Sequence, residues 1–191
     1  MKEQYDLGAL TKVAPEPIQQ QVVVVPEIEI GSLEAFIPPS GEEIFSAYAG
    51  FLRAFHLWFH AAHNVTKGTG FAGDHVSLYG PIYLEVQDVI DRVIEKGLGV
   101  FDNEMIACPN KITSDAMIVL EEWESPAGKG AERIAELALH YAIDLVELDA
   151  KVVMLLGEDG TLTLGLENLL AELADTHEGY VYLLKQRAKH L

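Results

Sequence analysis

The chain has 191 residues, 49% of them hydrophobic, with 16 Gly and 8 Pro, a composition that suits one globular domain with a tail to spare and excludes collagen, low-complexity disorder and a disulfide-stapled mini-protein. Thirteen Lys and Arg against 30 Asp and Glu leave a formal charge of −17, so the surface repels phosphate backbones and attracts cations. The one cysteine, Cys108, permits no internal disulfide and no Cys-x-x-Cys motif; with no leader-like start and no 18-residue apolar run, a cytoplasmic protein without a membrane segment is expected.

Residues 1–40 read as an N-terminal extension and 41–191 as the folded domain. The extension is punctuated by prolines, and four consecutive β-branched residues, Val22–Val25, predict an edge strand held against the rest of the protein. Ser40 followed by Glu43 has capping-box spacing, and Phe45, Tyr48, Leu52, Phe55, Phe59 and Ala62 then recur with a helical period, predicting a first helix over 41–66. A Lys67-Gly68-Thr69-Gly70 break follows. The second helix is expected from Asp74, as its N-cap, to Gly97-Leu98-Gly99, with a kink at Pro81. Residues 100–128 read as a long crossover carrying a short helix, Ser114–Trp123, before a third helix over 131–156 and a fourth over 164–189. Lys185, Arg187 and Lys189 oppose the dipole of the last helix. Four long amphipathic helices, two short turns and one long link describe an all-α, ferritin-like four-helix bundle. Tyr83 and Leu84 on the second helix, with Leu57 and Trp58 on the first, are expected to be exposed beside the core stripes and to call for partners, so a homo-oligomer is predicted.

Metal-ligand residue types concentrate between 56 and 95. His56, His60 and His63 stand at i, i+4 and i+7, on one face of the first helix, where an imidazole serves either packing or a metal. Asp91 and Glu95 are i, i+4 neighbours off the Val86, Val89, Ile90 and Val93 stripe, so they point out of their own bundle. Taken alone the pair reads as a solvated acidic face, partly neutralised by Arg92 and Lys96, or as half of a cation site. The chain has no Glu-x-x-His; Glu136 and His140 are one residue too far apart. An inward-facing di-iron site is therefore disfavoured, and if these carboxylates meet histidines at an ion, a second subunit must supply one half.

His63, Gly68, Phe71 and His75, at relative positions 0, +5, +8 and +12, with Tyr83 and then Asp91-x3-Glu95, resemble the signature of the Dps mini-ferritins, and Leu169-Leu170 to Leu183-Leu184-Lys185 is similar to that family's last helix. The resemblance spans 42–190. It implies a dodecameric shell in which His63 and His75 of one subunit, with Asp91 and Glu95 of its two-fold neighbour, bind Fe(II), which peroxide or oxygen oxidises for storage as ferric mineral, protecting against oxidative stress. Asn64 stands where that family has Trp, so the aromatic beside the site is expected elsewhere, at Trp58. Tyr79 stands where a further carboxylate is common, and His60 is expected to compensate as an extra metal ligand. The His75–Asp91 interval is one residue longer than usual near Gly80-Pro81, to be absorbed as a bulge. Asp144, Glu147 and Asp149 are candidates for pore or cavity carboxylates, or for a solvated face. DNA binding is not expected, because the extension holds only Lys2 and Lys12 as cations. The competing reading is a structural shell, or a Zn protein using the same residues, without ferroxidase activity.

Overall fold

Ser40 opens the first helix as its spacing predicts: its Oγ accepts from the Glu43 backbone N–H at 3.3 Å and donates to Glu43 Oε2 at 2.7 Å. The computed structural model describes residues 40–189. The predicted edge strand at Val22–Val25 lies outside the described residues. Five α-helices follow in order: α1 (Gly41–Val65), α2 (Gly80–Phe101), α3 (Pro109–Glu122), α4 (Ala131–Glu158) and α5 (Leu164–Ala188). A π-helical segment, Ala72–Tyr79, runs directly into α2, and a 3-10 turn, Glu104–Ala107, precedes α3.

α1 and α2 pack as one antiparallel pair and α4 and α5 as the other, which is the expected all-α, ferritin-like arrangement with its helix-bearing crossover. α1 is the central element. Ile44, Phe45, Tyr48, Phe51, Leu52, Phe55 and Phe59 are all buried on it, facing α2 and α4 as well as α3, which lies across it. That close crossing needs Gly50, where a Cβ would come within 2.4 Å of Asp115 Cβ. No helix among the described residues is long and apolar enough to cross a membrane.

Four local expectations need correction. Asp74 is not an N-cap; it lies inside the π-helical segment. Pro81 does not fall two turns inside a regular α-helix: it stands where the π-helical segment passes into α2, so the N–H it lacks falls at the change from the wide to the ordinary turn. α2 does not stop at Gly97-Leu98-Gly99 but continues to Phe101, ending at Asp102, whose φ of 50° breaks the ladder. The crossover helix starts at Pro109, five residues before Ser114, since Pro109 is pre-set for a first turn and Ile112 is buried.

One polar network crosses the core. Tyr48 on α1 donates to Asp149 Oδ1 at 2.7 Å, and His177 Nδ1 on α5 meets Asp149 Oδ2 at 2.7 Å. All three residues are buried, so Asp149 is no pore carboxylate: its two oxygens tie α1 and α5 to α4. Burial, the Asp149 charge and this hydrogen bond hold the Tyr48 phenol well above its ordinary range, so Tyr48 stays a donor. Asp149→Ala strands two buried polar groups and is expected to cost about 3–5 kcal/mol, against about 1 kcal/mol for Tyr48→Phe, which leaves the carboxylate its His177 partner. Parallel thermal melts of the two variants check the difference.

Candidate metal centre

The turn after α1, through Gly68 at φ 89°, brings the π-helical segment back over the last turns of α1. There His63 and His75 exchange hydrogen bonds: His63 Nδ1 lies 2.8 Å from the His75 carbonyl oxygen, and His75 Nδ1 lies 2.7 Å from that of His63. A carbonyl only accepts, so each Nδ1 carries the hydrogen and each neutral ring keeps its lone pair on Nε2. That is the tautomer a metal requires, held in advance by outer partners. The two rings stack with centroids 3.6 Å apart and planes 17° apart, and Phe71 stacks on His75 at 4.5 Å.

The wide π turn sets this geometry. The His75 carbonyl also accepts the Gly80 N–H, five residues on. A Cβ at Gly80 would stand 2.8 Å from that carbonyl oxygen and 3.4 Å from His63 Nδ1, so only glycine fits beneath the pair. The bulge anticipated near Gly80-Pro81 is this segment, whose last wide hydrogen bond closes on the Gly80 N–H.

Asp74, one residue before His75, is buried and holds Arg187 of α5 with two hydrogen bonds, Nε to Oδ1 at 2.7 Å and Nη2 to Oδ2 at 3.0 Å. Arg187 thus anchors the end of α5 to the π-helical segment beyond any interaction with its own helix dipole, and its pKa is raised chiefly by this hydrogen bond. Tyr79 is fully buried, edge-on to Phe59, and its hydroxyl has no hydrogen-bond partner. Burial raises the phenol well above its usual range, with Asp74 adding and Arg187 opposing, so Tyr79 supplies no anionic oxygen in place of a carboxylate.

His60 is exposed next to the pair, and Tyr83 of α2 lies against it at 4.7 Å and against His63 at 5.1 Å. Tyr83 is therefore the aromatic at the site. Trp58 is not exposed and not there: two residues from His56 and from His60 it faces about 200° away, where its Nε1 donates to the Glu124 carbonyl at 2.9 Å and its ring meets Tyr141 edge-on.

Asp91 and Glu95 are exposed on the outward face of α2, as their spacing predicts. Asp91 lies eleven residues beyond Gly80, about 16 Å along the axis at 1.5 Å per residue, and Glu95 is a turn farther. The structure therefore pairs His63 with His75 and leaves both carboxylates apart from them; among the described residues no three His, Cys, Asp or Glu of one chain gather around a common point. Arg92 turns to Glu172 on α5 at 2.8 Å rather than to Asp91. Glu95 and Lys96 line an open groove with Gly165, Asn168 and Leu169.

Among solved structures the chain is similar to Mycobacterium smegmatis Dps in its tetragonal form, with a TM-score of 0.60 and 16% sequence identity over 85% of this chain and 91% of that one. The likeness establishes a Dps-type, ferritin-like fold. No protein-family model and no curated protein matches the chain.

Of the remaining acidic candidates, Glu147 is exposed, whereas Asp144 is half-buried beside His140 at 3.6 Å. Burial raises its pKa to about 6, with Glu147 adding and His140 opposing. An acid raised on folding favours the fold while protonated, and that contribution is lost as pH rises through 6. Asp144→Asn is expected to raise the melting temperature at pH 7.5 by an amount that fades towards pH 4, and melts across that range check the sign.

Proposed function

We propose that the protein is an iron-storing ferroxidase of the Dps kind, assembled as a dodecameric shell in the cytoplasm, with each metal site shared between two subunits. The observation that carries this reading is the His63–His75 exchange, which frees two Nε2 lone pairs side by side while the carboxylates of the same chain stand far along α2. A second copy related by a two-fold axis would bring its own Asp91 and Glu95 to the imidazole pair and receive the same in return. Leu57 and Leu84, 41% and 57% exposed on the two helices that carry the site, supply apolar surface for that contact.

The donor set suits iron as substrate. Imidazole holds Fe(II), and carboxylate oxygens favour the harder Fe(III) product. With peroxide as oxidant, two Fe(II) give up one electron each and H2O2 takes both with two protons, leaving two Fe(III) and two waters; oxygen is the alternative oxidant. The formal charge of −17 per chain draws Fe(II) towards such a shell. DNA binding forms no part of the reading, since Arg187 at the basic C-terminal end is engaged by Asp74. Tyr79 favours the second reading, a shell that holds Zn(II) without redox chemistry, because it deprives the site of one oxygen ligand.

Light scattering at micromolar concentration is expected to find a large closed particle; a monodisperse monomer overturns the assembly. Asp91→Asn with Glu95→Gln is expected to abolish fast Fe(II) oxidation in a stopped-flow assay while preserving the particle. Wild type should gain melting temperature with Zn(II) or anaerobic Fe(II), and the double amide and His63→Ala should gain much less. Oxidation by the double amide at the wild-type rate would rule out the shared site; metal-dependent melting without any oxidation favours the Zn(II) shell.

A further inference from the structure

The row of imidazoles on α1 extends beyond the residues used so far. His56 and His60 stand four apart on one face with ring centroids 6.1 Å apart. Tyr83 packs on both, edge-on to His56 at 6.0 Å and tilted over His60 at 4.7 Å. Two histidines one helical turn apart are the spacing by which a helix holds zinc with ring nitrogens. With metal–nitrogen bonds of about 2.0–2.1 Å, two imidazoles sharing an ion have centroids at most about 6.4 Å apart, and tetrahedral ligation brings them to about 5 Å. The observed separation of 6.1 Å lies inside that limit.

A second observation is independent of the spacing. His56 is only 8% exposed; Gln87 of α2 hydrogen-bonds its side chain, while its buried Nδ1 has no hydrogen-bond partner. A buried ring nitrogen left unpaired is costly, so its persistence calls for an occupant or a function. Tyr79 cannot complete a second oxygen-rich position beside His63, because its hydroxyl is turned into the core.

We propose that His56 and His60 form a second, imidazole-based position for a borderline divalent transition ion, Fe(II) or Zn(II), with the Tyr83 ring as its floor. Its binding stands on these two residues alone; its use as the second iron position rests on the shared-site reading above. Nitrogen ligands without a carboxylate select against Mg(II) and Ca(II). Arg53, one turn before His56, opposes a cation there, so this position is the weaker of the two.

Titration of the assembled apo-protein with Co(II), followed by visible absorption and calorimetry, tests the assignment. Wild type is expected to show two steps per subunit. His56→Ala, the packing-conserving His56→Gln and His60→Ala are each expected to lose the weaker step at unchanged particle size. Asp91→Asn with Glu95→Gln should lose the tighter step and keep the weaker. An unchanged titration for both His56 variants overturns the proposal, as does loss of a step with His60→Ala but not with His56→Gln, which would assign His60 to the His63 position. A double amide that keeps both steps removes the shared site while leaving the His56–His60 result to stand on its own.

Discussion

A helix advances about 1.5 Å per residue and cannot bend its side chains back along its own axis, and this separates the two halves of the chemistry in this chain. The imidazole pair sits where the π-helical segment returns over α1, and the acidic pair sits about 16 Å down α2, facing outward. Neither half can hold an ion with high coordination by itself. On the proposed reading assembly precedes catalysis, because the interface that buries Leu57 and Leu84 also completes the ligand set, and both demands fall on the same two helices. Stability and activity would then share one contact, so a change that loosens the interface would weaken metal binding without touching a ligand.

The imidazole half depends on an unusual stretch of backbone. π-helical turns are rare and poorly packed compared with α-helical ones, and they persist where other contacts hold them. Here three sets of contacts do so: the reciprocal His63–His75 hydrogen bonds, the Phe71–His75–His63 ring stack, and the two-pronged Asp74–Arg187 pair from α5. The last is the most demanding, because a carboxylate buried at Asp74 is tolerable only while its cation stays. Arg187, 112 residues after His75 in sequence, is thus a condition for the orientation of that ring.

The bundle was legible because apolar residues on the long helices recur at the period of a helix, as with Phe45, Tyr48, Leu52, Phe55 and Phe59, and because Ser40–Glu43 marks the start of the first of them. The outward aspect of Asp91 and Glu95 followed from the same periodicity, as did the gathering of His60 and His63 on one face. What failed was decided at long range. Asp74 precedes an apolar run just as an N-cap does, and nothing local reveals that Arg187 claims it. Asp149 looks like any acid on an amphipathic helix until Tyr48 and His177 arrive from other helices. Trp58 stands apart for a simpler reason: helical angle alone puts it opposite the histidines. Gly80 offered a signal, a glycine before proline at the junction of two helical segments, but its meaning depends on the rings that lie over it.

On the proposed reading, the core accounts for placing the metal chemistry on the surface. Inward-facing di-iron bundles place several carboxylates and Glu-x-x-His pairs between the helices. Among the described residues three carboxylates are buried, and each is already engaged: Asp149 by Tyr48 and His177, Asp74 by Arg187, and Asp115 by Lys111. Tyr180 turns its hydroxyl to Glu85 at 2.9 Å, and the core around it is mainly aliphatic and aromatic. An ion of charge +2 entering beside Asp149 would break a satisfied network, which the low polarity of the surroundings does not permit. The imidazoles that remain free of the core, His60 and His63 on α1 and His75 beside them, lie on the face where a neighbouring subunit can bring oxygen ligands. The acidic composition is therefore not spread evenly through the molecule. Most of it stands on the surface, and on the proposed reading Asp91 and Glu95 become a site there only when a second copy brings its imidazoles.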